Sequence, residues 1–108
     1  MKRGELWWVE FDPSVGSEIR KTRPAIIISN DAANRNLTRV MVMPLSSNIS
    51  RIYPGEVLVE LDGRQSKAMA DQIMAADKKR LKGPLGMLSR AAMEDVEQAI
   101  KLHFGMVR

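Results

Sequence analysis

The apolar residues of this chain come in short runs, each closed by a turn signal, with one helical pattern at the end. Runs this short and closely spaced favour a small, strongly bent antiparallel barrel. Glu5 to Phe11 alternates: Trp7, Val9 and Phe11 share one face, Leu6 and Trp8 the other, and Asp12-Pro13 closes it. Pro24 to Ser29 is β-branched at its centre (Ile26, Ile27, Ile28), as suits a strand buried on both faces. Val40 to Leu45 is a third strand, with Pro44 placing a strand end or edge there. After a turn at Tyr53-Pro54-Gly55, Glu56 to Leu61 is a fourth strand with Val57, Val59 and Leu61 on one side. Asp62-Gly63 is a hairpin turn signal, and Ser66 to Met74 reads as a fifth strand.

The intervening segments are polar. Residues 14–22 read as a long loop, and 30–36 as a loop with one helical turn. Asp77 to Leu81 reads as a short helical turn, Lys82-Gly83-Pro84 as a breaker, and Met87-Leu88 as a last short strand. Ser89 is placed to cap a helix from Arg90 to Phe104, in which Met93, Val96, Ile100 and Phe104 recur at helical spacing. Glu97 and Lys101 form an i,i+4 pair on it, and Glu94 and Asp95 suit the dipole at its start. The expectation is a mainly β fold with a C-terminal helix, in a single domain over 1–108 with neither repeat nor linker.

Composition narrows the chemistry. With no cysteine, disulfides, thiolate metal sites and a cysteine nucleophile are excluded. One histidine, His103, leaves little for a transition metal, and no acidic cluster suggests Mg²⁺, so no cofactor is expected. The N-terminus lacks the apolar stretch of a signal peptide and no run is long enough to span a membrane, so a cytoplasmic protein is expected. Seventeen Lys and Arg against thirteen Asp and Glu give +4, a balance that attracts polyphosphate without proving a partner.

Three places can carry chemistry. Arg23 stands where a basic loop (Arg20, Lys21) meets an apolar strand, and Pro24 pushes it toward an extended conformation. Its guanidinium then offers a planar fork to phosphate oxygens, or simply covers the end of the barrel. Ser46 and Ser47 end the third strand, where hydroxyls either bond a phosphate or ribose or cap their own turn. In Gly16-Ser17-Glu18, Glu18 is either a general base or a solvated loop acid, and nearby Arg20 and Lys21 favour its ionised form. Trp7 and Trp8 point oppositely, so one is core and the other surface, partner contact or stacking platform. The methionines, Met41, Met43, Met69, Met74 and Met93 among them, read as adaptable packing. Lys78-Lys79-Arg80 is a solvated face or a phosphate track, and His103 a structural residue. Asp71-Gln72 sits in an apolar run and needs partners.

In order and spacing, Arg3-Gly4-Glu5, Trp8-Val9-Glu10-Phe11-Asp12-Pro13, Gly16-Ser17-Glu18, Arg23-Pro24, Ser29-Asn30-Asp31, Asn34, Pro44-Leu45-Ser46-Ser47 and Ala70-Asp71-Gln72-Ile73 form one pattern. Over nearly the whole chain it resembles the MazF/PemK (Kid-like) family of toxin endoribonucleases. The resemblance implies an SH3-like (CcdB/PemK-type) barrel, a homodimer, and metal-independent cleavage of single-stranded RNA at short motifs. It also implies a cognate MazE-like antitoxin whose extended acidic tail occupies the RNA site.

By the same resemblance, Arg23 matches the essential arginine, Ser46 a Thr/Ser position and Glu18 a loop acid. Gly16, Ser17, Arg20, Lys21, Asn30, Ser47 and Gln72 are then the candidate RNA contacts. Two departures stand out. Ile19-Arg20-Lys21-Thr22 replaces a Gln-rich, Gly-containing stretch, and Ser46 lacks the methyl that restrains threonine. Two other functions fit the same barrel: a non-enzymatic toxin binding DNA gyrase through the C-terminal helix, and an RNA-binding module without catalysis.

Overall fold

The structure, a computed structural model, describes residues 1–11 and 22–106. Seven strands and two helices follow in the order β1 (Glu5–Glu10), β2 (Thr22–Ile27), α1 (Asp31–Asn36), β3 (Arg39–Ser46), β4 (Glu56–Leu61), β5 (Arg64–Met69), β6 (Met74–Asp77), β7 (Leu81–Met87) and α2 (Arg90–His103). Every pairing is antiparallel, and the strand path is β4-β5-β3-β2-β1-β7 with β6 also on β3. The sheet curls into a half-barrel with the C-terminal helix against it, which is the architecture the short runs imply.

Alternation along the strands splits the core in two. Val9, Phe11, Ala25, Ile27, Val40, Val42, Ala76 and Leu81 form one cluster, with Trp7 half-buried against it. Leu6, Ile26, Met43, Leu45, Val59, Ala68 and Ala70 form the other, onto which α2 lays Val96, Met93 and Ile100. Ile26 and Ile27 therefore enter different clusters, so β2 is buried on both faces as its β-branched centre implies.

Local signals explain most boundaries. Ser89 accepts from Ala92 N at 3.1 Å and starts α2. Asp62 and Gly63 both have positive φ (52° and 75°), the conformation of a two-residue hairpin between β4 and β5. At Gly55, φ is +85° and a Cβ would come within 3.1 Å of His103 Nδ1. Only glycine closes that turn against the end of α2.

Several expectations need correction. The run Ser66 to Met74 is not one strand. It is the end of β5, a 3-10 turn over Ala70–Gln72, and the start of β6. The corner arises because β3 has two partners in series, β6 opposite Arg39–Val42 and β5 opposite Leu45–Ser46. Pro44 does not end β3. It is buried opposite Ala25, where the ladder passes from β6 to β5 and neither pairs with it. Lys82-Gly83-Pro84 does not break the chain but lies inside β7, a strand at the sheet edge with two register shifts against β1. Proline and bulges are tolerated at such an edge and blunt it.

The helical segment at 31–36 is a full α1, with Asn30 as its cap. Phe104 is not part of the buried stripe; it lies past the last turn of α2 and is 54% exposed. Glu97 pairs with Arg3 at 2.8 Å instead of with Lys101. Met43 and Met69 are core, whereas Met41 and Met74 are largely exposed. His103 is exposed, edge-on to Phe104. No helix among the described residues is long and apolar enough to cross a membrane.

Candidate functional site

Leu6 and Ile26, directly opposed on β1 and β2, belong to the cluster that α2 covers. Two residues further on, Trp8 and Pro24 continue the same face, and no helix of the described residues covers them. There the face opens into a cleft of about 840 Å³. Its lining comprises Trp8 from β1, Arg23 and Pro24 from β2, Leu45 and Ser46 from β3 with Ser47 beyond it, and Leu85 from β7. The β4–β5 hairpin supplies Leu61, Asp62, Arg64, Gln65 and Ser66. The lining mixes apolar side chains with hydroxyl, amide and guanidinium groups and the Asp62 carboxylate.

Arg23 is half-buried opposite Val9, and among the described residues no carboxylate pairs with it. A half-buried, unneutralised guanidinium at a cleft wall is placed to take an anion. Ser46 is half-buried at the end of β3, and its Oγ accepts from Asn48 N at 3.2 Å. The hydroxyl proton is thus left to donate elsewhere. Ser47, next to it, is exposed. Opposite Ser46 on β5 lies Lys67, whose Nζ is held by Glu56 Oε1 at 3.2 Å and donates to the Arg51 carbonyl at 3.0 Å. Lys67 is therefore already neutralised.

The structure brings together Arg23, Ser46 and Ser47. It does not bring Asn30 or Gln72 to this cleft. The Asn30 side chain accepts from Ala33 N at 2.8 Å as the cap of α1. Gln72 lies in the 3-10 turn beside Met69, with Asp71 exposed next to it. Asn34, buried, bonds the Ser29 hydroxyl and carbonyl and so docks α1. Gly16, Ser17, Glu18, Arg20 and Lys21 lie outside the described residues.

Arg64 and Gln65 are residues that sequence reasoning passed over. The hairpin signal at Asp62-Gly63 locates them at a turn, but only the packing of that hairpin across the end of β3 puts them at the cleft. Trp8 is the surface member of the tryptophan pair, 40% exposed on the cleft wall. Among the described residues no cluster of three His, Asp or Glu is arranged to hold a metal.

The family model for PemK-like, MazF-like toxins of type II toxin–antitoxin systems matches residues 2–104. The chain is 41% identical to the endoribonuclease MazF9 of Mycobacterium tuberculosis, over 98% of each protein. Its structure resembles the crystal structure of MazF from Deinococcus radiodurans with a TM-score of 0.84, at 26% identity over 98% of this chain and 97% of that one. It also resembles a mycobacterial endoribonuclease solved with its cognate antitoxin, at a TM-score of 0.81 and 24% identity over 100% and 98%, a likeness of fold. A curled antiparallel half-barrel, a single C-terminal helix and an arginine-lined cleft at the open end thus accompany a family match over nearly the whole sequence: the chain belongs to the PemK-like, MazF-like toxins of type II toxin–antitoxin systems.

Proposed function

We propose that this MazF-type toxin endoribonuclease cleaves single-stranded RNA in the cleft between Arg23 and Ser46. The observation that carries this reading is the half-buried Arg23 guanidinium, which no carboxylate pairs among the described residues, in one cleft with the Ser46 hydroxyl. RNA supplies its own nucleophile. The ribose 2′-OH gives up its proton to a base, and its oxygen attacks the adjacent phosphorus. The P–O5′ bond breaks, the departing 5′-oxygen takes a proton from water, and 2′,3′-cyclic phosphate and 5′-OH ends result. The protein then needs only to align the 2′-oxygen with the leaving oxygen and to stabilise the charge on the phosphorane.

Arg23 holds the non-bridging oxygens, and Ser46 donates a hydrogen bond to the phosphate. A guanidinium delocalises its charge and holds its protons too tightly to act as a general acid, so the role of Arg23 is electrostatic. Glu18 is assigned the general base, with Gly16, Ser17, Arg20 and Lys21 beside it contacting RNA. Asn30 and Gln72 are assigned contacts outside this cleft. No metal enters the scheme. The functional unit is a cytoplasmic single domain acting as a homodimer, inhibited by a cognate antitoxin whose acidic extended tail competes for the same cleft.

The test is cleavage of a long messenger RNA by purified protein in EDTA, with analysis of the new ends. Arg23→Ala is expected to keep the circular dichroism spectrum and to lose about 100- to 1,000-fold in rate. Full activity of that variant, or cleavage that EDTA abolishes, overturns the scheme.

A further inference from the structure

Beside the cleft, Lys78, Lys79, Arg80 and Lys82 place four cations within five residues. The first three form a 3-10 turn whose start is fixed by Asp77, which accepts from Lys79 N at 2.9 Å. Lys82 is one of two residues that the β1–β7 ladder skips, because Trp8 faces Gly83 while Val9 faces Leu81. A bulge of this kind breaks the ladder locally and re-aims a side chain, and it recurs beside active sites. Here it lies next to Trp8 of the cleft wall. Val9 in turn faces Arg23 across the next ladder, so Leu81 and Arg23 sit one on each side of β1. That separation is about 10 Å of sheet.

Among the described residues, two side-chain cations have a carboxylate partner, Arg3 with Glu97 at 2.8 Å and Lys67 with Glu56 at 3.2 Å. Among the described residues, no carboxylate pairs with Lys78, Lys79 or Lys82. Lys79 and Lys82 are exposed. The segment also lacks apolar anchors, since no exposed large hydrophobic side chain lies between Ala75 and Gly86. A bound protein segment relies on such anchors, whereas a polyphosphate backbone needs only the charges.

We propose that Lys78, Lys79 and Lys82 form a phosphate track that receives the RNA backbone as it leaves the cleft past Trp8. The partner is single-stranded nucleic acid flanking the cleaved bond, bound without regard to base. This inference rests on the nuclease reading above and extends it to nucleotides outside the cleft.

The probe is 2′-O-methyl oligouridylate, which has no free 2′-OH to attack, in lengths of about 4 and about 20 nucleotides. Affinity is read by fluorescence anisotropy across a salt series. A double variant, Lys79→Gln with Lys82→Gln, is compared with Arg90→Gln plus Lys101→Gln, which removes the same charge from α2. For the track double, the slope of log affinity against log salt is expected to become shallower by about 1.4, and the longer probe to bind about tenfold more weakly. The α2 double keeps the wild-type slope, and Lys79→Arg with Lys82→Arg restores it. An unchanged slope in the track double, or equal losses in both doubles, overturns the track. If wild type cuts messenger RNA while the track double binds normally, the track alone fails. If wild type neither cuts nor binds RNA, the nuclease reading fails with it.

Discussion

Trp8 on β1 lies directly opposite Pro24 on β2, so the exposed indole and the proline ring that restrains Arg23 share one wall of the cleft. The residue that sets the arginine backbone is thus packed beside an open aromatic face. Trp8→Ala is expected to weaken binding of 2′-O-methyl RNA by about tenfold, in keeping with about 1–3 kcal/mol for one stacked base. Trp8→Phe keeps most of the affinity, and anisotropy titration distinguishes the two. Equal losses in both variants would point to packing against Pro24 instead of stacking.

Ser46 lacks the methyl group that stiffens a threonine, so its hydroxyl samples more rotamers. Ser46→Ala is expected to lower kcat about tenfold through loss of one hydrogen bond to the phosphate. Ser46→Thr is expected to match or exceed wild type. Single-turnover cleavage of a fixed RNA substrate checks both, and an unaffected Ser46→Ala removes the hydroxyl from the scheme.

Arg64 reaches the cleft from the β4–β5 hairpin, across from Arg23. As a second cation near the scissile phosphate, it is expected to matter for kcat/KM by about 10- to 100-fold in Arg64→Ala, with partial recovery in Arg64→Lys. Because the side chain is exposed, the urea midpoint is expected to stay within error of wild type.

Glu5 gives the pH prediction. Burial alone raises its carboxyl, but the Trp7 indole N–H, the Lys2 backbone N–H and the N-terminal ammonium outweigh that and hold it below the ordinary glutamate value. A carboxylate lowered on folding contributes stability at neutral pH and loses it as pH falls through the folded value. Glu5→Gln is therefore expected to cost about 0.5 kcal/mol at pH 7, and the gap to wild type closes as pH falls through the lowered folded value. Urea denaturation at several pH values reads both.

Local signals at Arg23 and Ser46 left a bland reading open at each, and the family pattern singled them out; both line the cleft. A proline fixes the backbone after an arginine, and a serine ends an apolar run. Arg64 and Gln65 were not legible, because their position depends on how one hairpin crosses the end of another strand. For the same reason, the break in Ser66–Met74 escapes pattern reading. Asp71 and Gln72 mark the corner, but two polar residues inside a run do not by themselves end a strand. The change of ladder on β3 is what reveals it. Pro84 misleads in the opposite sense: it argues against a strand in general, yet an edge strand has a side on which a missing N–H costs nothing. Asn30 and Gln72 belong to the recurring pattern, and in the structure their side chains cap α1 and contact Met69.

The ladder handover on β3 carries one more consequence. Because β3 is clamped by β2 on one flank and by β6 and β5 in turn on the other, its amides lie where both apolar clusters must open before solvent can reach them. Protection against hydrogen exchange should therefore peak at Val42, Met43 and Leu45 and follow global unfolding. Ser46 is the last residue of that strand, whereas Arg64 follows the β4–β5 turn and pairs with Leu61, where exchange is expected to be faster. The cleft thus combines a rigid jaw with a compliant one.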